Sequence, residues 1–312
     1  MPRVSVIVVT WSAKDTVKDT IDSILAQTFT DFELLIMDNK SVDGTLEIVE
    51  CYKDPRIKIT KRSANTGSPV KPRNEAMTIA TGEWIAFCDA DDIWAPDKLE
   101  KQLLAYEESK EKEDIGMIYT GAKIIDMGGN QIDTNPALFS GFVPNTIARR
   151  RLLYGDFITT CSVIFKRTVF TEFGPMDEAL VGIDDYEYFL RITKEYGLLA
   201  LPELLCSWRL TGENLSGDKA SQYQKDEVIF EKLEREEPDN KDVLVGHGKN
   251  LTRIFLALVL EKSLDEAGKI YPKILKYPTN GKISVILWFW GLSPRIGVKF
   301  ISFLSNLGLV KL

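Results

Sequence analysis

Apolar residues fill the chain in short dense blocks separated by amphipathic stretches. Val4–Thr10 is an unbroken apolar run rich in β-branched residues, the pattern of a strand buried on both faces. Val17, Ile21, Ile24 and Leu25 then recur at three- and four-residue spacing, which predicts a helix with one apolar face. Residues 32–37 form a second buried run ending in Asp38-Asn39, and a helix carrying Leu46, Ile48 and Val49 follows Asp43-Gly44. A third strand at 57–59 and a helix over 73–80 lead to a fourth apolar run beginning at Trp84. Strand and helix alternating at this pace predict an α/β fold, a doubly wound, mostly parallel sheet flanked by helices.

Past Pro96 the pattern predicts a helix over 97–108, a strand over 115–125 and a hairpin turn at Gly128-Gly129-Asn130. Residues 134–145 are rich in Pro, Gly, Asn and Ser without periodicity, which predicts a long and therefore functional loop. An apolar segment over 157–166 precedes Asp184-Asp185 and a helix over 186–196. From Ala220 the pattern turns helical, so residues 1–218 are expected to form the main domain, with halves at about 1–115 and 116–218. Residues 219–312 are expected to form a helical extension.

The chemistry gathers where strands end. Asp89-Ala90-Asp91-Asp92 follows the fourth run, at the edge where open α/β sheets bind ligands. One aspartate there is usually a turn or cap residue; Asp-X-Asp is better explained by a hard cation, Mg²⁺ or Mn²⁺, held by carboxylate oxygens. Thr10-Trp11 and Asp38 stand at the ends of the first two strands, where an aromatic face can stack on a base and a carboxylate can accept from a base or ribose. The first glycine is Gly44, so the first strand-to-helix turn has neither a dinucleotide-binding nor a P-loop glycine pattern.

Composition narrows the partners. With 39 Lys and Arg against 46 Asp and Glu, the net charge of −7 argues against nucleic acid. Four cysteines without a CxxC pair predict buried thiols in a reducing compartment. The start lacks a secretory pattern, and no run approaches the roughly 20 apolar residues of a spanning helix, so a cytoplasmic protein is expected. The aromatic run at 283–290 and the helical spacing of Ile296, Phe300, Phe303, Leu304 and Leu307 make 280–312 a candidate interfacial helix on the inner face of the cytoplasmic membrane. The alternatives are packing on the main domain or on a second copy, giving a homodimer. Arg149-Arg150-Arg151 reads as a solvated helix face or as contact with an anionic acceptor or membrane surface, and His247 as a surface or internally satisfied histidine.

Five pieces in order carry a resemblance: the opening strand with Thr10-Trp11; Asp38-Asn39-Lys40-Ser41-Val42-Asp43-Gly44-Thr45; Asn65-Thr66-Gly67 with Arg73-Asn74; Thr81-Gly82-Glu83-Trp84; and Asp89-Ala90-Asp91-Asp92 with Pro96-Asp97-Lys98-Leu99. Over roughly residues 3–216 the chain resembles glycosyltransferase family 2, whose members have the GT-A fold. The resemblance implies an inverting, metal-dependent transfer from a nucleotide sugar, by family a UDP-sugar, to a glycan or lipid-linked glycan; the length of the 134–145 loop makes it the expected shaper of the acceptor site. It implies that Thr10, Trp11, Asp38 and Arg73 contact the nucleoside, that Asp89 and Asp91 bracket the Mn²⁺ or Mg²⁺ and the sugar diphosphate, and that Asp92 supports their geometry. It also implies Asp185 as general base, with Asp184 where relatives usually carry glutamate. Many members have a histidine two residues after the arginine of Trp208-Arg209, where this chain has Thr211, which removes one expected metal or phosphate contact. A non-catalytic nucleotide-sugar-binding or scaffold protein on the same fold is the alternative.

Overall fold

The first four predicted strands form as β1 (Val4–Thr10), β2 (Phe32–Asp38), β3 (Ile57–Lys61) and β4 (Trp84–Phe87). They pair in parallel in the order β3-β2-β1-β4, linked by helices α1 (Val17–Leu25), α2 (Thr45–Cys51) and α3 (Val70–Ile79). In this computed structural model the described residues are 1–212, 219–261 and 263–278, with Leu287, Trp290, Gly291, Pro294, Gly297, Val298 and Ile301 beyond them.

Past β4 the chain continues through β5 (Ile93–Trp94), α4 (Lys98–Glu108), β6 (Ile115–Ile125), β7 (Gln131–Asn135), β8 (Gly141–Val143), α5 (Asn145–Leu153) and β9 (Ile164–Lys166). It then forms α6 (Arg167–Phe173), α7 (Asp184–Glu195) and β10 (Gly197–Arg209). The sheet extends as β4-β9-β6-β10-β5, and β9 runs antiparallel to both neighbours, so the sheet is parallel in its first half and mixed in its second. The predicted 134–145 loop is interrupted by β8, which pairs with β10 through the Ala200–Gly141 register. Three residues are too few to show a strand's periodicity.

Close packing fixes the edge of the sheet opposite the strand ends that gather carboxylates. A Cβ on Gly82 would lie 2.5 Å from the Ser5 amide nitrogen, so only glycine lets that loop cross β1. Glu33 accepts there from Ser5 Oγ (2.6 Å), Thr81 N (2.8 Å) and Lys58 Nζ (2.6 Å). Burial alone would raise its carboxyl, but these donors outweigh burial and hold it at about 2.

The chain divides into two compact units, Met1–Arg149 with Phe157–Asn214 and Arg150–Asp156 with Leu215–Leu312. The segment 150–156 thus belongs with the helical extension: a Cβ on Gly246 would lie 2.4 Å from the Leu153 carbonyl oxygen. The second unit contains α8 (Lys219–Glu236), α9 (Lys241–Leu260) and α10 (Leu264–Ile274). Asn240 caps α9 by accepting from the Asp242 and Val243 amides. Phe255 meets Trp290 edge to face with centroids 4.8 Å apart, and Leu287 and Ile301 are buried in the same core. Val298 packs against that core, so these residues of the proposed interfacial segment belong to it; apart from Gly291, Pro294 and Gly297, the rest of that segment lies outside the described residues. Helix α9 is long and apolar enough to cross a membrane, but 72% of that stretch is buried in the protein.

His247 is internally satisfied, as one of its two readings expects. Its Nδ1 lies 2.7 Å from Glu234 and its Nε2 3.0 Å from Glu227, while Phe230 stacks on the ring and Tyr277 donates to Glu234 (3.1 Å). Burial would lower the imidazole pKa, but the hydrogen bonds and charges of Glu227 and Glu234 outweigh it and raise it. A raised folded-state pKa contributes stability that is fully present below about 6.5, the unfolded value, and is lost as pH rises through the folded value. Urea denaturation followed from pH 6 to 9 is therefore expected to show a stability decline that His247→Gln flattens. An equal decline in the variant would remove His247 as its source.

Candidate active site

The parallel register of β1 and β2 places Thr10 opposite Asp38, and Thr10 Oγ1 donates to Asp38 Oδ1 at 3.0 Å. Thr10, expected to contact the nucleoside, is fully buried here, and its hydroxyl positions Asp38. The loop after β1 needs no glycine-rich cradle because the next strand's loop straps it down. Ser12 N donates to Ser41 Oγ (3.1 Å), Ala13 N to Thr45 Oγ1 (2.8 Å) and Lys14 N to Asp43 Oδ2 (3.1 Å). Trp11 stands out from this strapped turn 59% exposed, a free aromatic face beside Asp38. Asn39 extends the network by donating to Asn65 Oδ1 (3.1 Å) and accepting from Thr66 N (3.2 Å).

Strand β4 delivers the acidic run beside β1, with Cys88 N bonded to the Ile7 carbonyl at 3.1 Å. Two α1 hydroxyls hold the loop that follows: Thr16 Oγ1 donates to the Ala90 carbonyl (3.0 Å) and Thr20 Oγ1 to that of Asp92 (2.8 Å). Asp92 is buried and accepts from the Arg209 amide (3.0 Å), so it supports the loop instead of facing a ligand. Asp91 is pushed up to about 6 by burial and then by the charge of Asp89, against the pull of Arg209 and Arg73. A carboxylate pair in that state is short of positive charge. Among the described residues no cage of three or more His, Cys, Asp or Glu side chains forms. Asp89 and Asp91 offer the carboxylate oxygens that a hard cation prefers, and such an ion would fill its other positions with water and phosphate oxygens.

Arg73 joins this cluster to the second acidic pair. Its guanidinium is buried, bonds Asp89 and donates to Asp184 Oδ2 at 3.1 Å, so both ends of the fork are committed to carboxylates. This bridge is where the fold places the arginine expected to contact the nucleoside. Next to it Asn74 pairs with the Met176 backbone in both directions at 2.9 Å, fastening α3 to the segment that leads into α7. Asp184 is buried, and burial, opposed by Arg73, pushes its carboxyl up to about 6. It is thus a partner for Arg73, while its neighbour Asp185 is half-buried. Asp185 accepts from Thr160 Oγ1 and, at 2.8 Å, from the Tyr186 amide.

Two contributors take their places only through the fold. Arg209, near the end of β10, is buried; its Nε donates to the Asp91 carbonyl (2.8 Å), and its guanidinium reaches the Met127 carbonyl (2.9 Å) and Asp19 (3.3 Å). The Trp208-Arg209 motif flagged it, but only the fold puts it 118 residues away against the acidic loop. Thr160 had no signal at all, being one of three hydroxyl residues, with Thr159 and Ser162, in an apolar stretch. The remainder of the expected closing segment, residues 213–216, lies outside the described residues. Cys88, Cys161 and Cys206 are buried free thiols as expected, and Cys51 is exposed.

A parallel half-sheet with an exposed tryptophan, a fixed carboxylate and an acidic run at its strand ends, and a second acidic pair at the start of α7, is the arrangement of a GT-A glycosyltransferase. The family model for glycosyl transferase family 2 matches residues 5–170. The chain belongs to that family, and it is a glycosyltransferase. It is similar to the putative teichuronic acid biosynthesis glycosyltransferase TuaG of Bacillus subtilis, 29% identical over 75% of this chain and 89% of that protein. It is also similar to the Escherichia coli UDP-Glc:alpha-D-GlcNAc-diphosphoundecaprenol beta-1,3-glucosyltransferase WfgD, 31% identical over 71% of this chain and 83% of that one. Among solved structures, S. aureus TarS 1–349 in complex with UDP-GlcNAc superposes with a TM-score of 0.71 at 18% identity, covering 98% and 92% of the two chains. A Pyrobaculum calidifontis mannosyltransferase in complex with GDP-Man and Mn²⁺ gives 0.62 at 18%, covering 97% and 85%.

Proposed function

We propose that this enzyme moves a sugar, with inversion, from a UDP-sugar to a hydroxyl of a glycan or lipid-linked glycan, in cell-surface polysaccharide or glycolipid synthesis. The observation that carries the proposal is the Arg73 bridge, which holds a cation-type carboxylate pair and a base-type pair in one rigid arrangement. The UDP-GlcNAc complex among the structural neighbours and the diphosphoundecaprenol acceptor named for the E. coli relative support the two substrate classes.

Each group has one task in this scheme. Trp11 offers a stacking face for the base, and Asp38 accepts from base or ribose. Asp89 and Asp91 would hold Mn²⁺ or Mg²⁺, which, when bound, offsets the charge of the diphosphate. The acceptor oxygen attacks the anomeric carbon from the face opposite the diphosphate, the anomeric C–O bond breaks, and its electron pair leaves with the nucleoside diphosphate. Asp185 takes the acceptor proton, with Thr160 and the Tyr186 amide fixing the carboxylate's direction. No covalent enzyme intermediate is needed.

Thermal unfolding with a panel of UDP- and GDP-sugars, with and without Mn²⁺, tests the donor side. A ligand at a hundred times its Kd stabilises by about 2.7 kcal/mol, or about 5–10 °C in Tm for a domain of this size. A UDP-sugar with Mn²⁺ is expected to give that shift, and Asp91→Asn to lose the Mn²⁺-dependent part. Equal shifts in the variant would take the cation away from Asp91.

A further inference from the structure

The second unit carries a concentration of positive charge that the transfer scheme does not use. Arg151, Tyr154 and Gly155 lie at the end of α5, where Tyr154 N and Gly155 N bond back to the Arg151 and Leu152 carbonyls. Helix α9 supplies Lys249 and Arg253, four residues apart and so on one face. Lys249 Nζ stands 3.5 Å from the centre of the Tyr154 ring. Arg253 donates to the Tyr154 carbonyl and lies over the Tyr223 ring at 5.5 Å. Gly155 has φ +138°, and a Cβ there would come within 2.8 Å of the Arg253 guanidinium. The turn is shaped to leave that guanidinium room.

The counter-charges are missing. Among the described residues, no carboxylate lies within ion-pairing distance of Arg151, Lys249 or Arg253. The nearby Asp242 is taken by Arg150 (2.9 Å) and the Tyr154 hydroxyl (3.2 Å). In a chain with 46 acidic against 39 basic residues, gathering three half-buried cations without a carboxylate runs against composition. Burial, and then the charges of Arg253 and Arg151, lower the Lys249 pKa, so the group already feels its neighbours' repulsion. An anion in the cluster relieves that repulsion, and an arginine–lysine set flanked by tyrosines suits phosphate oxygens.

We propose that Arg151, Lys249 and Arg253 form a binding site for a phosphate or diphosphate group, separate from the acidic donor site. The group is carried either by a soluble or acceptor molecule or by a lipid headgroup. The proposal goes beyond the transferase reading and stands without it, because binding of an anion requires no transfer.

Calorimetric titration of the full chain with inorganic diphosphate, in EDTA to prevent cation-bridged binding at Asp89 and Asp91, is the first arm. Saturable binding is expected, weakened about tenfold or more by Lys249→Gln or Arg151→Gln, the worth of one charge-assisted hydrogen bond. Lys249→Arg should retain it and Asp91→Asn should leave it unchanged, so failure of the donor-site assignment is read separately. Flotation with phosphatidylglycerol–phosphatidylcholine against pure phosphatidylcholine vesicles is the second arm. Binding to the anionic vesicles alone, lost in Lys249→Gln, assigns the group to a lipid headgroup. If circular dichroism shows folded variants and neither arm responds to Lys249 or Arg151, the proposal is overturned.

Discussion

Asp185→Asn is expected to lower kcat by about 10²–10⁴, the usual contribution of a positioned general base, while donor affinity and fold persist. Asparagine keeps the shape and one acceptor oxygen for the Tyr186 amide, so the start of α7 should be undisturbed. What disappears is the capacity to take the acceptor proton. Initial rates at saturating donor and acceptor, beside a donor-binding titration, separate the two. Full turnover in this variant would move the base elsewhere. Thr160→Val provides a graded companion: it removes the hydroxyl that fixes the Asp185 carboxylate without removing the carboxylate. A fall in kcat with unchanged donor KM, restored by Thr160→Ser, is the signature of a positioning residue.

Arg73→Met should be the most disruptive single change in the first unit. It leaves the buried Asp184 carboxylate without its cation and releases Asp89 from the same fork. Breaking one side of a buried ion pair costs about 3–5 kcal/mol, because the remaining charge keeps its desolvation penalty. Asp184, already at about 6 with Arg73 opposing its burial, loses that opposition. Denaturant unfolding of Arg73→Met, Asp184→Asn and the double variant gives the coupling directly. The double variant is expected to lose less than the sum of the singles. Strict additivity would mean that the bridge does not act as a unit. Transfer should be lost in Arg73→Met even where it folds, since both acidic pairs lose their common support.

The strand-end residues were legible because parallel pairing turns sequence order into position. Once β1, β2 and β4 are neighbours, Thr10, Asp38 and Asp89 must come together at the carboxyl edge. What each residue does there was less legible. Thr10 and Arg73 are residue types that readily touch ligands, yet the fold spends the first on Asp38 and the second on two carboxylates. Arg209 lies 117 residues from the Asp92 carboxylate that its amide meets, and Thr160 lies 25 from the Asp185 carboxylate that its hydroxyl meets; neither distance carries a local pattern. Short strands such as β5 and β8 were invisible for a related reason, since two or three residues exist as strands only through the partner they pair with.

Sequence alone determined that the chain alternates buried strands with amphipathic helices, that its carboxylates stand at strand ends, and that no glycine-rich loop serves the first turn. Those properties are local, written in periodicity and in which residue follows which. Only the tertiary structure decided how the carboxylates divide. Asp92 was buried and bonded to the Arg209 amide, and Asp89 and Asp184 were joined through the Arg73 guanidinium, while Asp185 stayed half-buried. It also gathered Arg151, Lys249 and Arg253 into one charge cluster from two separated helices. The physical reason is the same in each case. A charge is assigned its role by burial and by the partner within hydrogen-bond reach, and both are supplied by packing between distant segments.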